Sequence, residues 1–518
     1  MIAPTEGQRF KRFADDLLTR LSTRHGFLAA ISVYLIAALA LRLTVVPALT
    51  PDEGEQVLYA QSLELGYEPR NPPLFTWLVW ALQIPFGIGL LPVALAHTAC
   101  LFAFYACLYA ASRQMLADKR LAALAALSPV ALWFVGWDAL LNYSHSLLLA
   151  ACCIACLMLV WRIGTAPRLR DHVLLGVALG IGFLAKYNFV LFALALFGAA
   201  FIDREIRSRL FTRPFGLTVA LAIAIPLPHG LWLLFHASDI AGTIEHVLQP
   251  TRRPGPLDNL EAGWRALHAV LSFALPFLPL FAIVFAPAFL RRADSMPQPW
   301  APRRFAIRTL SLFLVLLVIV AMLGSLGEIR QSYMFAIAWL PLPAFLLLAP
   351  GRVDLGRMRI YATILTGLAA SSLVALLAKG LLDPHFCSRC RLHVPYGVYA
   401  AAIRAAGFST GTIMGISTPS AEPGENLRPY FPDSRVVSFK RLHYLPPPKA
   451  TPAPCLIVWD ATRQPDTPTW LRQEWDGRPP LLPADQTIHT VVAPMRYSQR
   501  PGMALGYAIV PADQAQCP

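Results

Sequence analysis

Two adjacent carboxylates, Asp52 and Glu53, stand in the run TPDEGEQVLYAQSLELGYEPRNPPLFTWL, immediately after the first long apolar segment. A carboxylate is costly to bury in hydrocarbon, so a pair held just outside a span is either solvated loop or a site for chemistry on a membrane-borne substrate. As chemistry, a carboxylate within hydrogen-bond reach takes the proton of an attacking hydroxyl. Two cations complement the acids. Lys186 ends the apolar run GVALGIGFLAKYNFVLF, and Arg330 occupies the turn GSLGEIRQSYM. Lys186 reads either as a snorkelling lysine or as a compact cation for a phosphate arriving from the bilayer, and Arg330 as an interface anchor or as a planar fork for phosphate oxygens. His145 and His229 read as polar residues inside a helix bundle or as substrate contacts; no H-x-x-x-H spacing accompanies them, and a divalent metal is left open.

The elements that must position these residues are membrane helices. The chain has 518 residues, of which 56% are hydrophobic and 14% charged, more apolar material than a soluble core of this length requires. Stretches of about 20 apolar residues, enough to cross ~30 Å of hydrocarbon, recur about eleven times, at approximately 27–48, 88–111, 121–137, 139–161, 172–186, 187–202, 215–237, 265–290, 309–326, 333–349 and 358–381. The net charge of +14 does not point to nucleic acid, because Arg and Lys gather in every second loop, as the positive-inside rule has it. The N-terminus is then cytoplasmic and the first span retained. The tail lies outside together with Asp52 and Glu53. Asp138, Asn142, His145, Lys186, Tyr187, His229, Glu328 and Arg330 fall at external span ends with the acidic pair, as a cavity open to one face would collect them. Residues 52–67 read as an amphipathic interfacial helix, its acids favoured by the helix dipole; Asn71-Pro72-Pro73 is a rigid break, and Leu74–Pro85 a second interfacial helix.

The expected domains are a cytoplasmic basic segment 1–26, a transmembrane catalytic domain 27–381 with its first external loop at 49–87, and an external small α/β domain 382–518. In that tail VYAAAIRAAG reads as a helix and FSTGTIMGIS, RVVSF and PCLIVWDA as strands, with no nucleotide-binding glycine pattern. Cys387, Cys390, Cys455 and Cys517 favour two disulfides of open connectivity in an oxidising compartment, whereas Cys100, Cys107, Cys152, Cys153 and Cys156 lie in spans.

The Asp-Glu pair after the first span, the Pro-Pro break before TWL, GIGFLAKYN, and RQSYM followed by LPLP together resemble the GT-C integral membrane glycosyltransferases. More narrowly, they resemble glycosyltransferase family 39, the group of protein O-mannosyltransferases and bacterial lipid A aminoarabinose transferases. The resemblance spans about residues 27–381. It implies a polytopic α-helical GT-C-like fold in a bacterial inner membrane and a polyprenyl- or dolichyl-phosphate sugar as donor. It further implies Asp52 as catalytic base with Glu53 orienting the site, and Lys186 and Arg330 holding the donor phosphate. Gln56, Tyr59, Asn71, Asp138, Asn142, His145, Tyr187, His229 and Tyr333 complete the candidate substrate-binding set. GWDALLNYSHS resembles a second external motif in which Asn142 takes the acid's place, with Asp138 a turn earlier. The lysine that precedes the paired prolines in the aminoarabinose transferases is here Asn71, which argues against that donor.

A sugar held on a lipid phosphate already has a good leaving group, so no general acid is required, and a single displacement inverts the anomeric carbon. The acceptor is a lipid, glycan or protein hydroxyl. The rival class is a transporter or flippase of an anionic lipid-linked substrate, whose usual signs are sequence repeats and midplane charges; neither is evident in the sequence.

Overall fold

The computed structural model describes residues 6–236, 256–290, 300–324, 329–348, 353–387, 390–416, 422–447, 453–462, 471, 480–482, 486–513 and 517. Glu328 lies outside them. The chain divides into two compact units, one of residues 1–37, 69–74 and 98–372, the other of 38–68, 75–97 and 373–518.

The helices in chain order are α1 Glu6–Leu21, α2 Arg24–Val45, α3 Pro51–Tyr59, α4 Leu74–Phe86, α5 Leu90–Met115, α6 Lys119–Leu127, α7 Ser144–Thr165, α8 Leu169–Ala185, α9 Phe189–Ile202, α10 Arg204–Leu210, α11 Phe215–Ala224 and α12 Leu227–Phe235. They continue as α13 Pro256–Ala274, α14 Phe277–Leu290, α15 Trp300–Leu323, α16 Pro341–Leu346, α17 Leu355–Phe386, α18 Tyr396–Ala405 and the short α19 Pro423–Leu427. Among the described residues five helices are long and apolar enough to cross a membrane, namely α2, α5, α7, α15 and α17, and the pair α11–α12, bent by 43°, makes up to six. The protein is thus a largely helical polytopic membrane protein with a small β-containing C-terminal region.

In the first unit α7 is the most enclosed of these long helices, packed against α8 and α10, while α8 also meets α11, and α15 meets α9 and α13. Small residues set the α8–α11 approach: a Cβ added at Gly176 would stand 2.7 Å from the Thr218 carbonyl oxygen, and one at Gly180 2.7 Å from the Ile225 Cβ. Glycines four apart on one face let helices come close where lipid offers no hydrophobic drive to association.

The second unit holds a five-stranded sheet in the order β2-β1-β3-β5-β4, built from β1 Thr412–Ile416, β2 Arg435–Ser438, β3 Cys455–Asp460, β4 His489–Val491 and β5 Leu505–Val510. β1 pairs in parallel with β2 and β3, whereas β5 runs antiparallel to β3 and β4. Alternation in the strands sorts the two faces: Ile413, Val436, Leu456 and Val458 pack with Tyr396, Tyr399 and Ile403 of α18, and Met414, Val437, Ile457 and Trp459 pack with Leu471 and Leu482. The first face also receives Leu58, Tyr59 and Tyr67 from α3 and the loop after it. Disulfides join Cys387 to Cys390 and Cys455 to Cys517, while the five cysteines in spans are free thiols. One connectivity is thereby selected from the three that the spacing allows.

Candidate functional site

The acidic pair sits in the first turn of α3, a helix whose start is set by sequence. Thr50 caps it: its hydroxyl accepts from the Glu53 amide at 3.3 Å and the Glu53 carboxylate accepts from the Thr50 amide at 2.8 Å, with Pro51 at the first helical position. This reciprocal box satisfies two donors that a helix start otherwise leaves orphaned. Arg42, in the last turn of α2, grips the same carboxylate with Nη2 at 2.5 Å and Nε at 3.3 Å, and Nη2 also donates to the Ala48 carbonyl at 2.9 Å. Arg42 is 3% exposed and Glu53 4%. Both Glu53 oxygens are therefore occupied in a buried, charge-assisted fork. Asp52, one residue earlier, is exposed. The same turn thus holds one buried acid and one exposed acid.

Gln56 and Tyr59 lie on the inner side of α3. Gln56 Oε1 accepts from the Thr76 hydroxyl at 2.7 Å, and the Tyr59 hydroxyl donates to Glu68 Oε2 at 3.3 Å and meets His443 Nε2 at 3.1 Å. Stacked on Tyr67 and edge-on to Tyr444, the Tyr59 ring is nearly fully buried, so both side chains are engaged in the packing of this unit.

In the first unit the α8–α9 junction is a break in which Lys186 takes an extended conformation, φ −165° and ψ 138°. Its ammonium donates to the Ser146 hydroxyl of α7 at 2.8 Å and stands 5.4 Å from the centre of the Tyr333 ring. Asn188 Nδ2 donates to the Tyr333 carbonyl at 3.0 Å. Tyr333 belongs to the 3-10 turn Gln331–Ile337, and the exposed Arg330 immediately precedes it. Two motifs far apart in sequence, FLAKYN and RQSYM, are thus joined by a hydrogen bond and a cation–π contact. The Tyr187 hydroxyl meets His229 Nε2 at 2.9 Å, and the His229 ring stacks on Trp232. Tyr143, at φ 73°, forces the turn that starts α7 and sets its ring against Phe335 of the 3-10 turn. His145, buried, follows in the first turn of α7, and the half-buried Asp138 and Asn142 lie in the irregular stretch before it. Asn71 is half-buried in the Pro-Pro break.

Sequence reasoning passed over Arg42, Ser146 and Glu68. Arg42 had a signal, being a charged residue in an otherwise apolar helix 11 residues from its acid partner. Ser146 had none. A cavity in the first unit is lined by Arg113, Lys119, Trp161, Asp203 and Arg209, in the basic loops assigned to the opposite face, and holds none of the candidate residues. Among the described residues no group of three or more His, Cys, Asp or Glu side chains is arranged to hold a metal ion.

Residues 70–232 match the family model described as dolichyl-phosphate-mannose-protein mannosyltransferase. Two lipopolysaccharide core galacturonosyltransferases of Rhizobium johnstonii resemble the chain over most of its length. RgtB is 26% identical, covering 86% of this chain and 90% of its own, and RgtA is 28% identical, covering 85% and 87%. Among solved structures, ArnT from Cupriavidus metallidurans bound to undecaprenyl phosphate superposes with a TM-score of 0.61 at 15% identity, covering 95% of this chain and 99% of that one. Identity at that level speaks to fold. With the matched family model, the two relatives and the polytopic helical architecture in agreement, the chain is a GT-C-fold membrane glycosyltransferase, similar over residues 70–232 to the protein mannosyltransferases and similar in fold to ArnT.

Proposed function

We propose that this glycosyltransferase moves a sugar from a polyprenyl-phosphate donor to an acceptor hydroxyl on the external face of a bacterial inner membrane, with inversion and with Asp52 as general base. The acceptor oxygen attacks the anomeric carbon as its proton passes to Asp52, and the bond from that carbon to the phosphate oxygen breaks. The lipid phosphate leaves with the electron pair, its charge met by Lys186 and Arg330. Glu53 keeps the helix start in place. The observation that carries this reading is the division of labour in α3, where Glu53 is buried in the Arg42 fork and Asp52 is exposed in the same turn. The relatives' names favour an anionic sugar, a uronic acid, as the transferred group and a lipopolysaccharide core as the acceptor. We also read eleven crossings, with the N-terminus cytoplasmic and the sheet-bearing tail external; the shorter apolar helices α9 and α14 are counted among them, and α4 lies in the interface.

The test uses purified protein in lipid with a panel of polyprenyl-phosphate sugars, uronic acids included, and follows polyprenyl phosphate release. Release that needs an acceptor and disappears in Asp52→Asn is the expected result. Release undiminished in Asp52→Asn removes that residue from the mechanism.

A further inference from the structure

A second arginine reaches α3 from the C-terminal part of the chain. Arg441, 3% exposed, lies in the turn Phe439–Arg441 after β2. Its Nη2 stands 3.2 Å from Glu55 Oε2 and 3.2 Å from Glu422 Oε1, and its Nη1 3.4 Å from Glu425 Oε1. One guanidinium therefore ties the acidic helix, through Glu55, to α19 and the residue before it. The approach is close: Gly54, between Glu53 and Glu55, abuts Glu422 Oε2, so that a Cβ there would require the Glu422 carboxylate to shift. That oxygen is buried with no hydrogen-bond partner among the described residues.

The same region holds α3 at both ends. The Leu49 amide, just before the helix, donates to Asn426 Oδ1 at 2.9 Å. Arg428 donates to the Val57 carbonyl and the Tyr444 hydroxyl to the Tyr59 carbonyl, two acceptors that the helix end leaves open. Gln61, just beyond, pairs with both backbone groups of Val436 in β2. A helix of nine residues has little stability of its own in water, so these contacts decide where its first turn points.

We propose that Arg441, with Glu55, Glu422 and Glu425, is a positioning clasp by which the C-terminal domain sets the acidic helix, and through it Asp52, for sugar transfer. The proposal rests on the reading of Asp52 as base. Three carboxylates share one guanidinium in a buried space, so repulsion among them is relieved by a proton. Burial and the neighbouring Glu425 push the Glu422 carboxyl up to about 7, against the pull of Arg441 and Lys440. Facing it are Glu55 from α3, Gly54 beside it, Glu425 from α19, Arg441 and Lys440 from the turn after β2, and Tyr396 from α18. Loss of the proton adds a negative charge to the clasp and loosens α3, so turnover falls as pH rises through this range.

The test compares full-length wild type, Arg441→Lys, Glu55→Gln, Glu422→Gln and Asp52→Asn in nanodiscs, reading kcat and donor KM separately, the pH profile of kcat, and amide exchange over residues 51–60. Arg441→Lys keeps the charge and loses the fork. It is expected to lower kcat about tenfold or more with donor KM little changed, as small misplacements of catalytic groups do, and to speed exchange in α3. Glu422→Gln is expected to remove the alkaline decline near pH 7. If Arg441→Lys does not fold, Glu55→Gln and the Glu422→Gln profile carry the test. Wild-type kcat in folded Arg441→Lys and Glu55→Gln, or a Glu422→Gln profile that superposes on wild type, overturns the clasp. With Asp52→Asn inactive, such results sink the clasp alone; an active Asp52→Asn sinks the assignment of the base, and the clasp's role toward it falls as well.

Discussion

Replacing Arg42 by alanine should damage the second unit far more than a surface substitution would. The Glu53 carboxylate is 4% exposed, and Arg42 supplies two of the three hydrogen bonds it accepts, the third coming from the Thr50 amide. Removing one partner of a buried pair leaves the other charge unmet, which costs about 3–5 kcal/mol, whereas replacing both by apolar residues of similar volume is often close to neutral. For a cooperative unit of about 200 residues, a loss of that size lowers the unfolding midpoint on the order of 10 °C. Thermal unfolding in lipid, followed by tryptophan fluorescence, reads the change. Arg42→Ala should be strongly destabilised, and Arg42→Met with Glu53→Leu should recover much of the loss in stability without recovering turnover. An Arg42→Ala midpoint within about 2 °C of wild type, well below the change that 3–5 kcal/mol implies, would refute the argument that the fork holds α2 to the start of α3.

The remaining expectations concern other charges and one cross-link. Glu422 carries a folded-state pKa of about 7 against an ordinary value of 4.5, so the folded state binds more protons between those values. The stability this gives is fully present below pH 4.5 and lost as pH rises through 7, on the order of 3 kcal/mol in all; unfolding midpoints should fall between pH 5 and 8 in wild type and change less in Glu422→Gln. Lys186→Met removes an ammonium held by Ser146 beside Tyr333, and losing one charge-assisted contact of about 1.5–3 kcal/mol should raise the donor Kd about tenfold or more, as titration with a polyprenyl-phosphate sugar would show; an unchanged Kd removes Lys186 from the donor site. The Cys455–Cys517 disulfide closes 62 residues, a loop whose entropy is worth up to about 4 kcal/mol. Cys455→Ala with Cys517→Ala should lower the unfolding midpoint of the second unit, and equal midpoints would show that the cross-link constrains little in the unfolded chain.

What was legible in the sequence had local causes. Pro51 and the acids after it mark a helix start, although the helix ends at Tyr59 and does not run to residue 67, and the tail's strands announced themselves by apolar runs between turns, so Thr412–Ile416, Arg435–Ser438 and Cys455–Asp460 fall where they were expected. Lys186 stood out because a charge in an apolar run is rare. The number of crossings was less legible: α6, α9 and α14 are shorter than a full span, and a series of short helical turns between Ser128 and Tyr143 interrupts what reads as continuous apolar sequence. Long-range partners were not legible at all. Arg441 lies 386 residues from Glu55, and nothing in either local pattern announces the other.

The run Asp52-Glu53-Gly54-Glu55 places three acids in the first turn and a half of one helix, where the helix dipole favours each of them by at most about 1 kcal/mol. That term is too small to hold Glu53 buried and Glu55 partly so. Glu53 and Glu55 are each met instead by a guanidinium, Arg42 from the helix before α3 and Arg441 from the C-terminal domain. Both arginines are themselves almost wholly buried, so the attraction is only weakly screened by solvent. Glycine between the two acids lets the carboxylate of Glu422, the residue before α19, come up against the helix backbone, where a side chain would push it aside. The helix is thereby held through two of its acids, and Asp52 is exposed in the same turn. A helix held in this way keeps the orientation of its first turn, which is what the proposed general base, acting on a bulky lipid-linked substrate, requires. On this argument the acidic motif owes its competence as much to two arginines outside it as to its own acids.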